Sequence, residues 1–390
     1  MVSPFMPEPA KVAAVRASLP ATGAGIYLNA AAAGPMPSET QRAMDEQAQR
    51  ELTTGRGHPD MEPETAERMA EARAAVASVI IADPDDIALA HGAVDGLGLA
   101  LEPTSWQVGD RILTTSHEPA ATVALLAALA DRHEMVLEIV EPLAGDPGEV
   151  EAAFAAALDR PARAVVASHV LPTTGAVLPI ARIGELARDA GALLVVDGSQ
   201  AAGAIPVSVE ELGVDAYAIP AEAWLLGPEG LGAVWRRGGP APTPAQPVAG
   251  FHRPSIVGFA RSCGWLSMYV GLPWAMGRAR GLTADAHDRL ASIAGVTVLT
   301  PKDRSATLLA FRIAGWTAAS ALAELEARVF AIMADVPAID ALRISIGFWT
   351  TVEELDRFAD AVDLLARHTP ATIPPRRTLT ILGSDDRPLG

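Results

Sequence analysis

Asp197, in the run LLVVDGSQAAG, is the residue whose placement most needs a chemical explanation. It follows four consecutive apolar residues, and a carboxylate at the end of a buried strand is costly without a partner. Two partners suit it equally: the free N–H groups of a helix that begins nearby, with Asp as cap, or a buried cation such as a protonated ring nitrogen. Arg343, in ALRISIGFWTTVEELDRF, carries a planar fork that grips a carboxylate through two parallel bonds; its plainer reading is a surface ion pair. Asn29 in YLNAAAAGPMP reads as a turn residue or as part of a substrate site. His117 in TTSHEPAAT reads as a solvated loop histidine. The chain has one cysteine, Cys263, so no internal disulfide forms. Its plain reading is a small buried residue. Lysine occurs only at positions 11 and 302, and neither lies among these segments.

The elements that must position these residues alternate along the first two-thirds of the chain. RAVVASHVL (163–171) is a short β-branched run, and IARIGELARDAG (180–191) follows with helical spacing and a terminal glycine. ALLVVDGSQ (192–200) is a second apolar strand ending in polar residues, and VDAYAIPAEAW (214–224) repeats the pattern. Strands followed by helices predict a parallel sheet covered by helices. Ligands of such sheets bind beyond the carboxyl ends of the strands, where Asp197, Gln200 and Ala223 fall. RRGGPAPTPAQPVAG (236–250) is a Pro/Gly-rich break. LSMYVGLPWAMGRARGL (266–282) reads as one helix bridging to a second unit.

Four segments together resemble the class V, fold-type I enzymes that depend on pyridoxal phosphate (PLP), in particular isopenicillin N epimerases and cysteine desulfurases. YLNAAAAGPMP (27–37) resembles their opening segment, and SHVLPTTGAVLPI (168–180) their SHV-x-x-x-TG-x-x-x-PI. VDGSQAAGAIPV (196–207) resembles their VDGAQ-A-G-x-x-PV, and WLLGPEGLGAVW (224–235) the stretch after the cofactor lysine. Order and spacing agree over roughly residues 25–365.

The resemblance implies an α/β fold: a large domain with a mainly parallel sheet flanked by helices, and a smaller C-terminal α+β domain. Its expected bounds are an N-terminal arm at 1–24, a PLP-binding domain at 25–260 and a linking helix at 261–282. A small domain at 283–370 and an extended tail at 371–390 complete the chain, the N-terminal segment contributing to the small domain. Asp197 would hold the pyridine nitrogen and Gln200 the ring's 3′-oxygen. The N–H groups of Gly92, Ala93 and Val94, opening a helix in HGAVDGLGLAL, would cup the phosphate. Glu222 and Trp224 would flank the cofactor, while Asn29, His117 and Arg343 would meet the substrate. Arg261 and Ser262 in GFARSCGWL resemble a segment that reaches the phosphate of the neighbouring subunit, implying a homodimer with shared sites. No metal is expected.

Three departures stand out. The family's (S/G)-x-(H/Q)-K-W reads Pro220-Ala221-Glu222-Ala223-Trp224, so the Schiff-base lysine is missing. The ring-stacking position after Glu118 is Pro119, and a common threonine is Ala260. Either the chain is a natural pseudoenzyme, or it is a variant whose parental lysine became Ala223. Persistence of Asp197, Gln200, Trp224 and Arg343 favours the variant, nearly inactive itself, with PLP held non-covalently or as an external aldimine. MADVPAIDALRIS (333–345) lacks the persulfide cysteine of a desulfurase. The resemblance therefore points to C–S β-lysis, or a related decarboxylation or deamination, on an S-substituted cysteine. Lincosamide-type antibiotic biosynthesis is one setting; epimerisation or transamination of a free amino acid is the alternative.

Bulk properties agree. In a chain of 390 residues, half hydrophobic and 20% charged, a large core is possible. A formal charge of −17 argues against nucleic-acid or anionic-membrane partners. No signal pattern or run of roughly 18 apolar residues occurs, so the cytoplasm is the expected compartment.

Overall fold

The computed structural model describes residues 6–141, 147–239 and 250–376. Most of the Pro/Gly-rich break and of the C-terminal tail read from the sequence lie outside them.

Helix α1 (Glu8–Ser18) and the two-residue strand β1 (Ile26–Tyr27) come first, then α2 (Ser38–Thr54) and α3 (Met61–Ile80). The sheet-building segment runs β2 (Ile87–Ala90), α4 (Ala93–Leu101), β3 (Arg111–Thr115), α5 (Ala120–His133), β4 (Val136–Val140) and α6 (Pro147–Leu158). It continues with β5 (Ala164–Ser168), α7 (Ile180–Asp189), β6 (Leu193–Asp197), α8 (Val209–Leu212), β7 (Ala216–Pro220) and β8 (Gly232–Arg236). These seven strands form one sheet in the order β2-β8-β7-β6-β5-β3-β4. Every residue of β5 is buried, and the apolar core of β6 likewise, which fits runs of Val, Leu and Ala covered on both faces. α7 turns Ile180, Ile183 and Ala187 inward and stops where Gly191 takes φ 71°.

The expected parallel sheet holds from β4 to β7. It fails at β8, which runs antiparallel to both β7 and β2. The reason is local: the eleven residues between β7 and β8 form turns rather than a crossover helix, and a short turn can only join antiparallel neighbours.

The expected bridging helix is also interrupted. α9 (Arg253–Gly264) leads into a π-helical stretch at Trp265–Val270; Gly271 then adopts φ 82°, and α10 (Leu272–Ser292) starts with Pro273 in its first turn. A left-handed glycine followed by proline ends one helix and begins another. The smaller unit is a four-stranded sheet, β12-β13-β10-β9, made of β9 (Val296–Val298), β10 (Leu308–Ile313), β12 (Ala334–Val336) and β13 (Ala341–Ser345). Helix α11 (Ala318–Val329) and strand β11 (Ala331–Ile332) lie between β10 and β12, and α12 (Val352–Ala366) follows β13. α12 opens with a reciprocal capping box between Thr351 and Glu354. β1 pairs in parallel with β11, matching Ile26 with Ala331 and Tyr27 with Ile332.

Candidate active site

Asp197 closes β6 and is 3% exposed. Oδ1 accepts the backbone N–H of Ser199 at 2.8 Å and also the Ser199 hydroxyl. This is an Asx turn; no helix starts here, so the cap reading fails. The other oxygen accepts no hydrogen bond among the described residues, which leaves one lone-pair face for a ligand. Burial raises the carboxyl pKa, and the Ser199 bonds oppose that rise.

A second buried acid stands beside it. Glu118 Oε1 accepts from Thr115 Oγ1 at 2.6 Å and Ser168 N at 3.0 Å, while Oε2 accepts from Ser168 Oγ at 2.5 Å. Burial pushes its pKa up, the bonds pull it down, and the Asp197 charge adds to the rise. In sequence Glu118 marks only the position before Pro119, and its role as an anchor was missed. The signal lay in Ser168, which the SHV segment places at the end of the adjacent strand.

Gln200 and Trp224 form a relay across the site. Trp224 Nε1 donates to Gln200 Oε1 at 3.0 Å, and Gln200 Nε2 donates to the Ala31 carbonyl at 2.9 Å. One amide hydrogen of Gln200 is left over. Ala223 is 3% exposed between them in sequence, on the turn after β7. Glu222 has one buried carboxyl oxygen without a hydrogen-bond partner, and burial raises its pKa. Backbone N–H groups of Glu222 and Ala221 oppose that rise.

α4 presents the third component. Gly92 is its N-cap, with φ 98°, and the first-turn N–H groups, Ala93 and Val94 included, have no acceptor within the helix. The helix lies tight on the sheet because Gly96 has no side chain: a Cβ there would be 3.1 Å from Ala218 Cβ.

Arg343 reaches from β13 to the large domain, donating from Nη1 to the Pro172 carbonyl at 3.0 Å. It forms no ion pair among the described residues, so the surface-pair reading does not hold. His117, read as a solvated loop residue, is instead half-buried and bonded through Nδ1 to Thr173 Oγ1 at 2.6 Å; burial lowers its pKa. Asn29 accepts the N–H groups of Ala32 and Ala33 on its carbonyl and bridges to Ser345, as a turn residue does. Pro119 opens α5 as its N-cap.

One expected contact is corrected. Ser262 is fully buried: it donates to the Leu226 carbonyl at 2.8 Å and pairs with Thr40 Oγ1 at 3.0 Å. Its hydroxyl is committed to partners inside the chain, whereas Arg261 is exposed on α9. The two lysines stand apart from Ala223: Lys11 is buried in α1 with Nζ 4.1 Å from the Trp274 ring centre, and Lys302 pairs with Asp288 at 2.6 Å.

The chemistry of these residues matches that of a pyridoxal phosphate. The open face of Asp197, the spare Gln200 hydrogen, the α4 N-terminus and the unpaired Arg343 fit its ring, phosphate and amino-acid partner. Ala223 offers no covalent attachment and Pro119 no aromatic cover, so the fit is to a non-covalently held cofactor.

Comparisons with known proteins agree with this geometry. The aminotransferase class-V family profile matches residues 26–250. Isopenicillin N epimerase of Streptomyces clavuligerus is 30% identical over 384 residues, covering 87% of this chain and 94% of that protein. A probable cysteine desulfurase of Methanothermobacter thermautotrophicus is 30% identical over 224 residues, covering 57% of this chain and 55% of that one. Among solved structures, a lysine-to-alanine mutant of C-DES with glycine covalently linked to its PLP cofactor superposes with TM-score 0.82 at 22% identity, over 89% of this chain and 98% of that one. The complex of the cystine C–S lyase C-DES with its product cysteine persulfide gives 0.80 at 21% identity, over 88% and 99%.

Proposed function

Since the chain belongs to the aminotransferase class V family, we propose that its pocket binds PLP and an S-substituted cysteine, and that the same pocket with a lysine at position 223 is a C–S β-lyase. The open carboxylate face of buried Asp197 at the end of β6 carries this reading.

When bound, the cofactor supplies an electron sink that weakens a bond at Cα. The chain's residues do the rest. Asp197 holds the proton on the ring nitrogen, and the Ser199 turn fixes the carboxylate that does so. Gln200, oriented by Trp224, offers its remaining hydrogen to the ring oxygen. The α4 N–H groups and helix dipole hold the phosphate. Arg343, desolvated and without a carboxylate of its own, takes the substrate's. Ala223 removes the amine that would anchor the cofactor and move the α-proton. The present chain therefore holds cofactor and amino acid with little turnover. That C-DES with the same exchange of lysine for alanine holds a covalently linked glycine on its cofactor supports this.

The C–S lyase branch is supported by the described activity of C-DES. It is supported also by burial of Cys263, whose thiol pKa is pushed far up, leaving no accessible sulfur acceptor. Specialised metabolism of the lincosamide type remains the proposed setting. Epimerisation is the second reading, favoured by the match to isopenicillin N epimerase over nearly its full length. A homodimer belongs to the same proposal, with exposed Arg261 as the cross-subunit group. No described helix is long and apolar enough to cross a membrane; the cytoplasm is the proposed compartment.

The test is equilibrium dialysis with PLP, then turnover. The chain should bind PLP without covalent linkage, and Asp197→Asn should weaken binding by about 10–100-fold, the range of one charged hydrogen bond. Ala223→Lys should release thiol and pyruvate from cysteine S-conjugates. Inverted amino acid without thiol would move the assignment to epimerase. Absence of PLP binding in both forms would leave a non-catalytic scaffold.

A further inference from the structure

The central sheet has a second face, away from Asp197. Ser168, Asp197 and Ala218 lie in register across β5, β6 and β7, and alternation sends Tyr217 to the reverse side. There the Tyr217 hydroxyl meets His169 Nδ1 at 2.8 Å. His169 also lines a cavity of about 630 Å³ between this face, α10 and the turn at 302–304. That volume lies within the range of small-ligand pockets, roughly 300–1,000 Å³.

We propose that this cavity is a second small-molecule site, built for an apolar monocarboxylate. Val177, Ile205 and Met276 give it apolar walls. The second ring nitrogen of His169, only 5% exposed as a residue, has no hydrogen-bond partner among the described residues and is left for an occupant. Arg280 stands at the rim one turn along α10 from Met276, exposed and in no ion pair among the described residues. An exposed guanidinium beside apolar walls suits a carboxylate whose body is buried. Asp303 and Arg304 also line the cavity, so with Arg280 the lining carries one net positive charge, which suits one carboxylate rather than two. The walls come from both units: Val177 N donates to the Arg304 carbonyl at 2.8 Å, and Ala176 bridges to Ser305. An occupant therefore ties the two together.

The probe is phenylacetate, with phenylacetamide as its uncharged counterpart, added to the purified chain without cofactor so that the result is independent of PLP binding. Calorimetry should show saturable phenylacetate binding and a raised Tm, with phenylacetamide about tenfold weaker. Arg280→Ala should reduce that preference several-fold. Gly277→Trp should abolish binding, because a Cβ at Gly277 meets nothing within 4 Å and the ring can enter the cavity without a clash at its root. No phenylacetate binding to the parent chain, or undiminished binding in both variants, overturns the proposal. Should Gly277→Trp fail to fold, Gly277→Leu replaces it and the exposed Arg280→Ala still decides.

Discussion

His169 shows at the residue scale what burial without charge costs. Among the described residues its ring hydrogen-bonds only the Tyr217 hydroxyl, and burial lowers its pKa to about 4. The folded chain therefore binds fewer protons than the unfolded chain between that value and the ordinary 6.5. Stability is then full above the unfolded pKa and falls as pH drops through the window. A shift of this size corresponds to about 3 kcal/mol. Glu118 and Asp197, with pKa values raised, act the other way: they lose stability as pH climbs past their ordinary range. A single stability curve therefore mixes opposing slopes, and His169→Gln separates them. Between pH 7 and pH 4, urea denaturation should show the parent losing about 3 kcal/mol relative to the variant. Parallel curves would mean that the ring is solvated.

At the scale of elements, α4 carries the anion-binding end of the site, and its height above the sheet depends on Gly96. Gly96→Val places branched carbon where Ala218 and Val234 stand 3.1 and 3.4 Å from even a Cβ. Overpacking of this kind costs about 1–3 kcal/mol, and lifting α4 should weaken phosphate and PLP binding together, as denaturation and dialysis would show. Little of this was legible in the chain. Gly96 is one of three glycines in HGAVDGLGLAL, and spacing does not say which one faces a strand. The strands carrying Ser168 and Asp197 were legible because β-branched, fully buried runs have few other uses. The direction of β8 was not, since WLLGPEGLGAVW shows a turn but not which way the chain leaves it. Ser262, which the resemblance had reaching a neighbouring subunit, bonds instead to Thr40, 222 residues away in α2, a partner that local spacing does not show.

The molecule as a whole is joined through the segment 26–34, which the sequence marks as a family-like opening with a candidate site asparagine but not as a connection between units. β1 pairs with β11 in the smaller unit, Ser345 N donates to the Leu28 carbonyl, and Ser345 Oγ accepts from Ala31 N at 3.0 Å and donates to the Leu28 carbonyl at 3.1 Å. The same segment meets the large domain through Gln200 on the Ala31 carbonyl and through Gly34 N on the Glu222 carbonyl. Leu28, Ala31 and Gly34 thus connect Ser345 of β13, two positions after Arg343, to Gln200 and to Glu222 beside Ala223. Ser345→Ala removes both hydroxyl bonds from a site 1% exposed and leaves the Ala31 N–H without its acceptor, a loss of about 1–3 kcal/mol. Because Ala31 also orients Gln200, the effect should cross the seam. Amide exchange should quicken at residues 28–33 and PLP affinity should fall, although Ser345 lies in the smaller unit. If exchange quickens while affinity holds, Gln200 is fixed by Trp224 alone and the segment joins the two units without shaping the pocket.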